Sequence, residues 1–263
     1  MNTTVVSIIV VLCAFLVSGG AMAAERKAAI TGIQSPVGMI YDTRGALYVA
    51  EWGAGRVSRF DPDGGRVTVT EAIRGPSGLA LGREGTLYVA SYSDGGVYAL
   101  ENGKEPEKIA SGFSSPAGLL WSRDNTLLVA NRNAGEVVKL HPDGRKEVIS
   151  RNHKTPVGLA QTADGSIFVS CLNGGIDLIR PDGVVSTINS SLNSPAPGIV
   201  IDGPDGVLAA DYGGTTVTRV DARGRASTVA NGLRTPVGLA RTPDGRLMVG
   251  TWGDNAAFIL ETK

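Results

Sequence analysis

Residues 36–64 read PVGMIYDTRGALYVAEWGAGRVSRFDPDG. The stretch contains two short apolar runs, GMIYD and LYVA, separated by the turn residues Arg44-Gly45. Short runs of this kind, bounded by Gly- and Asp-containing turns, predict an antiparallel hairpin. A third run, RVSRF at 56–60, follows a Gly-rich turn, and Asp61-Pro62-Asp63-Gly64 ends it. A more polar run, RVTVTE at 66–71, completes the unit. The segment therefore predicts four short antiparallel strands in succession.

The unit recurs. Gly38, Gly78, Gly118, Gly158, Gly198 and Gly238 are spaced by 40 residues, and each opens an apolar run. Five of them have Pro two residues earlier: Pro36, Pro76, Pro116, Pro156 and Pro236. The fifth repeat reads Ser194-Pro195-Ala196-Pro197-Gly198, so its proline is displaced. Nine residues after each Gly comes the second run, at 47–50, 87–90, 127–130, 167–170, 207–210 and 247–250. Four strands per 40-residue repeat is the pattern of a propeller blade, in which packing around an axis buries both sheet faces. The prediction is an all-β fold: a six-bladed β-propeller of four-stranded antiparallel blades. The sixth repeat ends after its third strand, at 257–261. Residues 26–32 stand one repeat before the outer strand at 66–71, and are expected to supply the missing strand and close the ring.

Residues 1–23 read differently. Val5 to Val17 is almost wholly apolar and is followed by Gly19-Gly20-Ala21-Met22-Ala23. A short apolar core before small residues with an Ala-Met-Ala pattern is expected to be a cleaved signal peptide, although no Lys or Arg precedes the run. It is short for a membrane span, which needs about 20 apolar residues. The domain then covers residues 24–263 and is expected to be secreted or periplasmic, monomeric, and free of the membrane after cleavage. Of the 2 cysteines, Cys13 and Cys171, one remains, so no internal disulfide is expected. The 25 basic and 25 acidic residues balance, with no basic run to form a nucleic-acid footprint. The 36 glycines and 5% aromatic content agree with many short strands and tight turns.

In a propeller, loops at one face surround the axis, and loops on a rigid scaffold commonly carry function. The first residues after the second strand are Glu51, Ser91, Asn131, Cys171, Asp211 and Thr251. They read either as groups that hydrogen-bond the turn backbone or, for Glu51, Asn131 and Asp211 on alternating blades, as oxygen ligands for a divalent cation such as calcium. The next residues are Trp52, Tyr92, Arg132, Leu172, Tyr212 and Trp252. Aromatics on four neighbouring blades beside an Arg are expected either to form a binding patch or to fill gaps between blades. Trp121, on an inner strand, is expected in the core. The 2 histidines are His141, in an outer turn, and His153, whose plain reading is an exposed loop residue without a partner. Cys171 has no aligned His and is expected to be an inert thiol.

The pattern Pro-x-Gly, apolar run, Asp-x-x-Gly, Leu-Tyr-Val-Ala and Pro-Asp-Gly resembles NHL repeats, and the resemblance spans residues 24–263. Six-bladed propellers of this broad group include protein-binding platforms, strictosidine-synthase-like proteins, an amidating lyase, and metal hydrolases of the gluconolactonase and senescence-marker type. Streptogramin lyases look similar, with seven blades. Fold alone does not choose among these activities. The hydrolase resemblance implies Asn and Asp metal ligands at the x of Pro-x-Gly. Those positions hold Val37, Ser77, Ala117, Val157, Pro197 and Val237, none a good ligand. The lyase resemblance implies a histidine base, and histidines are scarce. The expectation is thus a platform that binds a small molecule or a protein at one face through Glu51, Trp52, Tyr92, Asn131, Arg132, Asp211, Tyr212 and Trp252. The alternative is a metal-dependent lactonase of the gluconolactonase type, with its metal on Glu51, Asn131 and Asp211. A streptogramin-lyase-like enzyme is the third reading.

Overall fold

The repeating strand-and-turn punctuation is realised as six four-stranded antiparallel sheets in a computed structural model that describes residues 26–101 and 103–260. The expected signal peptide and its cleavage pattern lie outside those residues. Among the described residues no helix is long and apolar enough to cross a membrane. The first blade shows how the local sequence works. Its strands are Pro36–Tyr41, Leu47–Glu51, Arg56–Phe60 and Arg66–Thr70. The first turn is held by the Asp42 carboxylate, which accepts hydrogen bonds from the Arg44 and Ala46 amides at 2.9 and 2.8 Å. The carboxylate is a side-chain mimic of a turn bond.

The glycine of each Pro-x-Gly sits where neighbouring inner strands approach too closely for a side chain. A Cβ on Gly38 would stand 2.4 Å from the Ser77 carbonyl oxygen of blade 2, and one on Gly158 would stand 2.3 Å from that of Pro197 in blade 5. The series returns to its start at Gly238, whose Cβ would lie 2.8 Å from the Val37 oxygen. Glycine is thus required by the convergence of six strands on one axis, not by its own dihedral angles.

The core is divided into six apolar clusters, each shared by two adjacent blades. Blades 1 and 2, for example, meet through Ala50, Val57, Ile73, Leu79, Leu87, Val89 and Leu100. Five of the six clusters contain a large apolar residue from the strap that leads into a blade: Ile33, Ile73, Phe113, Leu192 and Leu233. These straps lie over the ends of the blade junctions and keep water out of them.

Ring closure follows the expected route. Strand Ile30–Thr31 pairs antiparallel with Ala256–Leu260, in the register Ile30 with Ala257 and Thr31 with Ala256. Backbone bonds from Ala29 to Ala257 and from Ile33 to Asn255 extend the latch at 2.8 and 3.1 Å. In the fifth blade, Pro195 pairs with Asp211 as Pro36 pairs with Glu51. Its proline therefore keeps its place in the ladder. The additional residue is absorbed in a longer inner strand, Pro195–Ile201, which puts Pro197 beside the axis.

Candidate functional site

The second strand of each blade runs one residue further than its apolar core indicates. Glu51, Asn131, Cys171 and Asp211 end their strands rather than begin the loops. Their side chains are buried within their own blades. Glu51 accepts hydrogen bonds from the Gln34 amide at 2.9 Å, Ser58 Oγ at 2.5 Å, and the guanidinium groups of Arg56 and Arg66 at 3.0 and 2.7 Å. Burial pushes its carboxyl up, but these four partners outweigh that and hold it below the ordinary range. Asn131 Oδ1 accepts from the Ser114 amide at 2.7 Å. Asp211 accepts from the amides of Asn193 and Ser194 at 3.1 and 2.7 Å. These groups fasten the incoming straps to their blades. They do not meet at the axis, so the structure does not assemble the oxygen-ligand set Glu51, Asn131 and Asp211.

The following residues do meet. Trp52, Tyr92, Arg132, Leu172, Tyr212 and Trp252 surround a cavity of about 220 Å³ on the axis, floored by Val37, Ser77, Ala117, Val157, Pro197 and Val237. The aromatics form an arc. The Tyr212 and Trp252 rings meet edge to face at 5.5 Å, and those of Trp52 and Tyr92 at 4.7 Å. Trp252 Nε1 donates to the Pro36 carbonyl at 2.9 Å, which ties the last blade to the first. Arg132 ends the arc. Its Nη1 donates to Tyr92 Oη at 2.8 Å, and its guanidinium carbon lies 5.5 Å from the centre of that ring. The Ser77 hydroxyl donates to the carbonyls of Ala90 and Pro116 and turns its polarity away. The cavity is therefore apolar, with Arg132 as the one charged group among its lining residues.

Trp121 ends its inner strand away from that cavity. It is only half-buried and stacks on Tyr88 at 5.2 Å. His141 lies in an outer turn, as expected, against Glu147 at 2.9 Å.

His153 requires correction. It is buried, with its side chain wholly out of solvent, and has two partners. Its Nδ1 lies 2.7 Å from Asp177 Oδ2 and its Nε2 lies 2.7 Å from Ser150 Oγ. Cys171 Sγ donates to the same Asp177 oxygen at 3.3 Å, so a histidine does stand beside this thiol. Burial, reinforced by the Asp177 charge, pushes the Cys171 thiol up. Burial likewise pushes the Asp177 carboxyl up, but hydrogen bonds from His153, Thr187 and Cys171 prevail and hold it down. Ser150, His153 and Asp177 are arranged as a nucleophile, base and acid would be. All three are buried, however, so the hydroxyl is not presented to a substrate. This cluster was illegible in sequence because the three residues come from a blade end, a strap and the next blade.

The family described as the SMP-30/gluconolactonase/LRE-like region matches residues 7–93. No curated protein matches the chain by sequence. Among solved structures, a gluconolactonase from Xanthomonas campestris is similar with a TM-score of 0.79 and 17% identity, over 90% of this chain and 89% of that one. Virginiamycin B lyase from Staphylococcus aureus gives 0.69 and 14%, over 86% and 81%. A chain of a nidogen/laminin complex gives 0.65 and 17%, over 72% and 77%. At these identities the likeness establishes the fold alone, a six-bladed β-propeller. A metal of the kind expected for the hydrolase reading would need carboxylate or imidazole ligands converging on one point. The residues lining the axial cavity include no Asp, Glu, His or Cys, so they do not fit such an ion.

Proposed function

We propose that the chain is a binding protein whose axial cavity takes a small, largely apolar ring carrying one ester carbonyl or carboxylate, with lactones as the leading class. The observation that carries this reading is Arg132. It is held by Tyr92 Oη at the edge of an otherwise apolar, aromatic-lined cavity. Aromatic walls favour planar or cyclic ligands, and a guanidinium fixes the position of an oxygen. A hydrogen bond to a charged group contributes about 1.5–3 kcal/mol. Its loss should weaken binding roughly tenfold to a hundredfold. What supports binding over turnover is that the lining holds no carboxylate or imidazole to take a proton from an attacking water. The sequence reading of residues 1–23 as a signal supports a secreted or periplasmic place for this binding.

The test is a fluorescence titration, since Trp52 and Trp252 line the cavity. Apolar lactones and their open hydroxy acids are added to the wild type and to Arg132→Met. Saturable changes in the wild type, weakened in the variant, support the reading. A flat response to the whole panel overturns it. A second reading, lactone hydrolysis, is favoured by the family match over residues 7–93. Acid release from the same lactones, with and without divalent metals, tests it. Sustained turnover would replace the binding reading with the hydrolase.

A further inference from the structure

Five of the six blade junctions are plugged by an apolar strap residue: Ile33, Ile73, Phe113, Leu192 and Leu233. At the junction of blades 3 and 4 the corresponding residue is His153. In the same junction strand Ile167–Cys171 ends in Cys171, and strand Gly175–Ile179 contributes Asp177. The three side chains converge. A ring nitrogen of His153, the sulfur of Cys171 and a carboxylate oxygen of Asp177 lie within 4.8 Å of one another, and all three residues are buried.

A plug needs none of this chemistry. Burying an imidazole where Ile, Phe or Leu plugs the other junctions, against a thiol and a carboxylate, is costly unless the groups have a task. From this juxtaposition we propose that His153, Cys171 and Asp177 form a binding site for a zinc-type transition metal ion at the junction of blades 3 and 4, separate from the axial cavity. One imidazole, one thiolate and one carboxylate make a mixed donor set of the borderline kind that zinc prefers. Calcium and magnesium, which take oxygen ligands, suit it poorly.

The surrounding groups match what a metal site requires. A ligating histidine donates its other ring N–H to a neighbour, and a ligating carboxylate is itself hydrogen-bonded. Here Ser150 Oγ stands 2.7 Å from His153 Nε2, leaving Nδ1 for the ion. Thr187 Oγ1 donates to Asp177 Oδ1 at 2.6 Å, leaving Oδ2. The present separations, 2.7 Å between Nδ1 and Oδ2 and 3.3 Å between Sγ and Oδ2, are those of a hydrogen-bonded cluster. Metal–ligand bonds of about 2.0–2.3 Å in tetrahedral geometry place ligands roughly 3.3–3.7 Å apart. Binding therefore replaces the bridging protons with the ion and widens the His153–Asp177 separation by about half an ångström to an ångström, while the Cys171–Asp177 separation already fits. An open groove whose lining includes His153, Arg132, Glu136 and Lys154 runs beside the junction.

The experiment is a cobalt(II) titration of chelator-stripped protein, followed by zinc competition and measurement of bound metal. The variants are Cys171→Ala and His153→Leu. The second restores the plug that blades 5 and 6 use, so it keeps the junction filled. One equivalent of cobalt with a thiolate charge-transfer band and tetrahedral visible bands, displaced by zinc, is the expected result for the wild type. His153→Leu should lose binding at least tenfold, and Cys171→Ala should lose the charge-transfer band. No stoichiometric cobalt or zinc in the folded wild type overturns the proposal, as does unchanged binding by both variants. The lactone titration reads the axial cavity separately, so failure of one proposal is not failure of the other.

Discussion

Arg132 Nη1 donates a 2.8 Å hydrogen bond to Tyr92 Oη, joining the axial loops of blades 2 and 3. The bond restricts a long side chain that would otherwise sample many rotamers. Tyr92→Phe keeps the ring beneath the guanidinium and removes this restraint. The bond acts on the ligand only through the position of Arg132, so affinity for a lactone or hydroxy acid should fall by less than about tenfold, less than in Arg132→Met. The fluorescence titration checks the order of the two variants. An equal or greater loss in Tyr92→Phe would place the ligand on the phenol instead.

Gly158→Ala tests why glycine recurs at the axis. The added Cβ would meet the Pro197 oxygen at 2.3 Å and Ser170 Oγ at 2.6 Å. Overpacking of this kind costs about 1–3 kcal/mol or more, which lowers Tm by roughly 2–12 °C in a domain of this size. Calorimetry decides it, and an unchanged Tm would mean that the inner strands can separate at no cost.

Closure of the ring rests on residues before the first blade. Ile33 is fully buried between blades 6 and 1. Ile33→Ala should cost about 2–5 kcal/mol through the cavity it leaves. Deleting residues 24–33 should cost more, because the pairing with Ala256–Leu260 is lost as well. Denaturant titration of the two variants should rank them in that order. Equal stability of the deletion and the wild type would rule out the latch.

Acid should loosen the strap of blade 1. The Glu51 carboxyl is held below its unfolded value of 4.5. Its contribution to stability is therefore complete above about pH 4.5 and is lost as pH falls through the lower folded value. Glu51→Gln lacks this dependence. The variant should be less stable than the wild type at pH 7, and the difference should shrink towards pH 3. Denaturation at both pH values measures it, and a constant difference would show that the carboxylate charge is not what secures Gln34, Arg56 and Arg66.

The fold was legible because it is repetitive. Forty-residue spacing, apolar runs of strand length and Asp-Gly turns specify blades locally, and the missing fourth strand of the sixth repeat identified residues near 30 as its replacement. Strand ends were less legible. Glu51 is polar yet continues its strand, because Arg56, Arg66 and the Gln34 amide satisfy it inside the blade.

What sequence alone determined is what repeats: blade number, strand order, the glycines at the axis and the six loop positions that surround the cavity. These depend on contacts within one repeat or between equivalent positions of neighbours, so periodicity reveals them. The tertiary structure alone decided which loop residues face the axial cavity and which hold the straps, since two adjacent residues such as Glu51 and Trp52 have opposite fates. It also brought together His153, Cys171 and Asp177. Their meeting is a departure from the repeat, and only the packing of one blade against the next makes three unrelated positions neighbours.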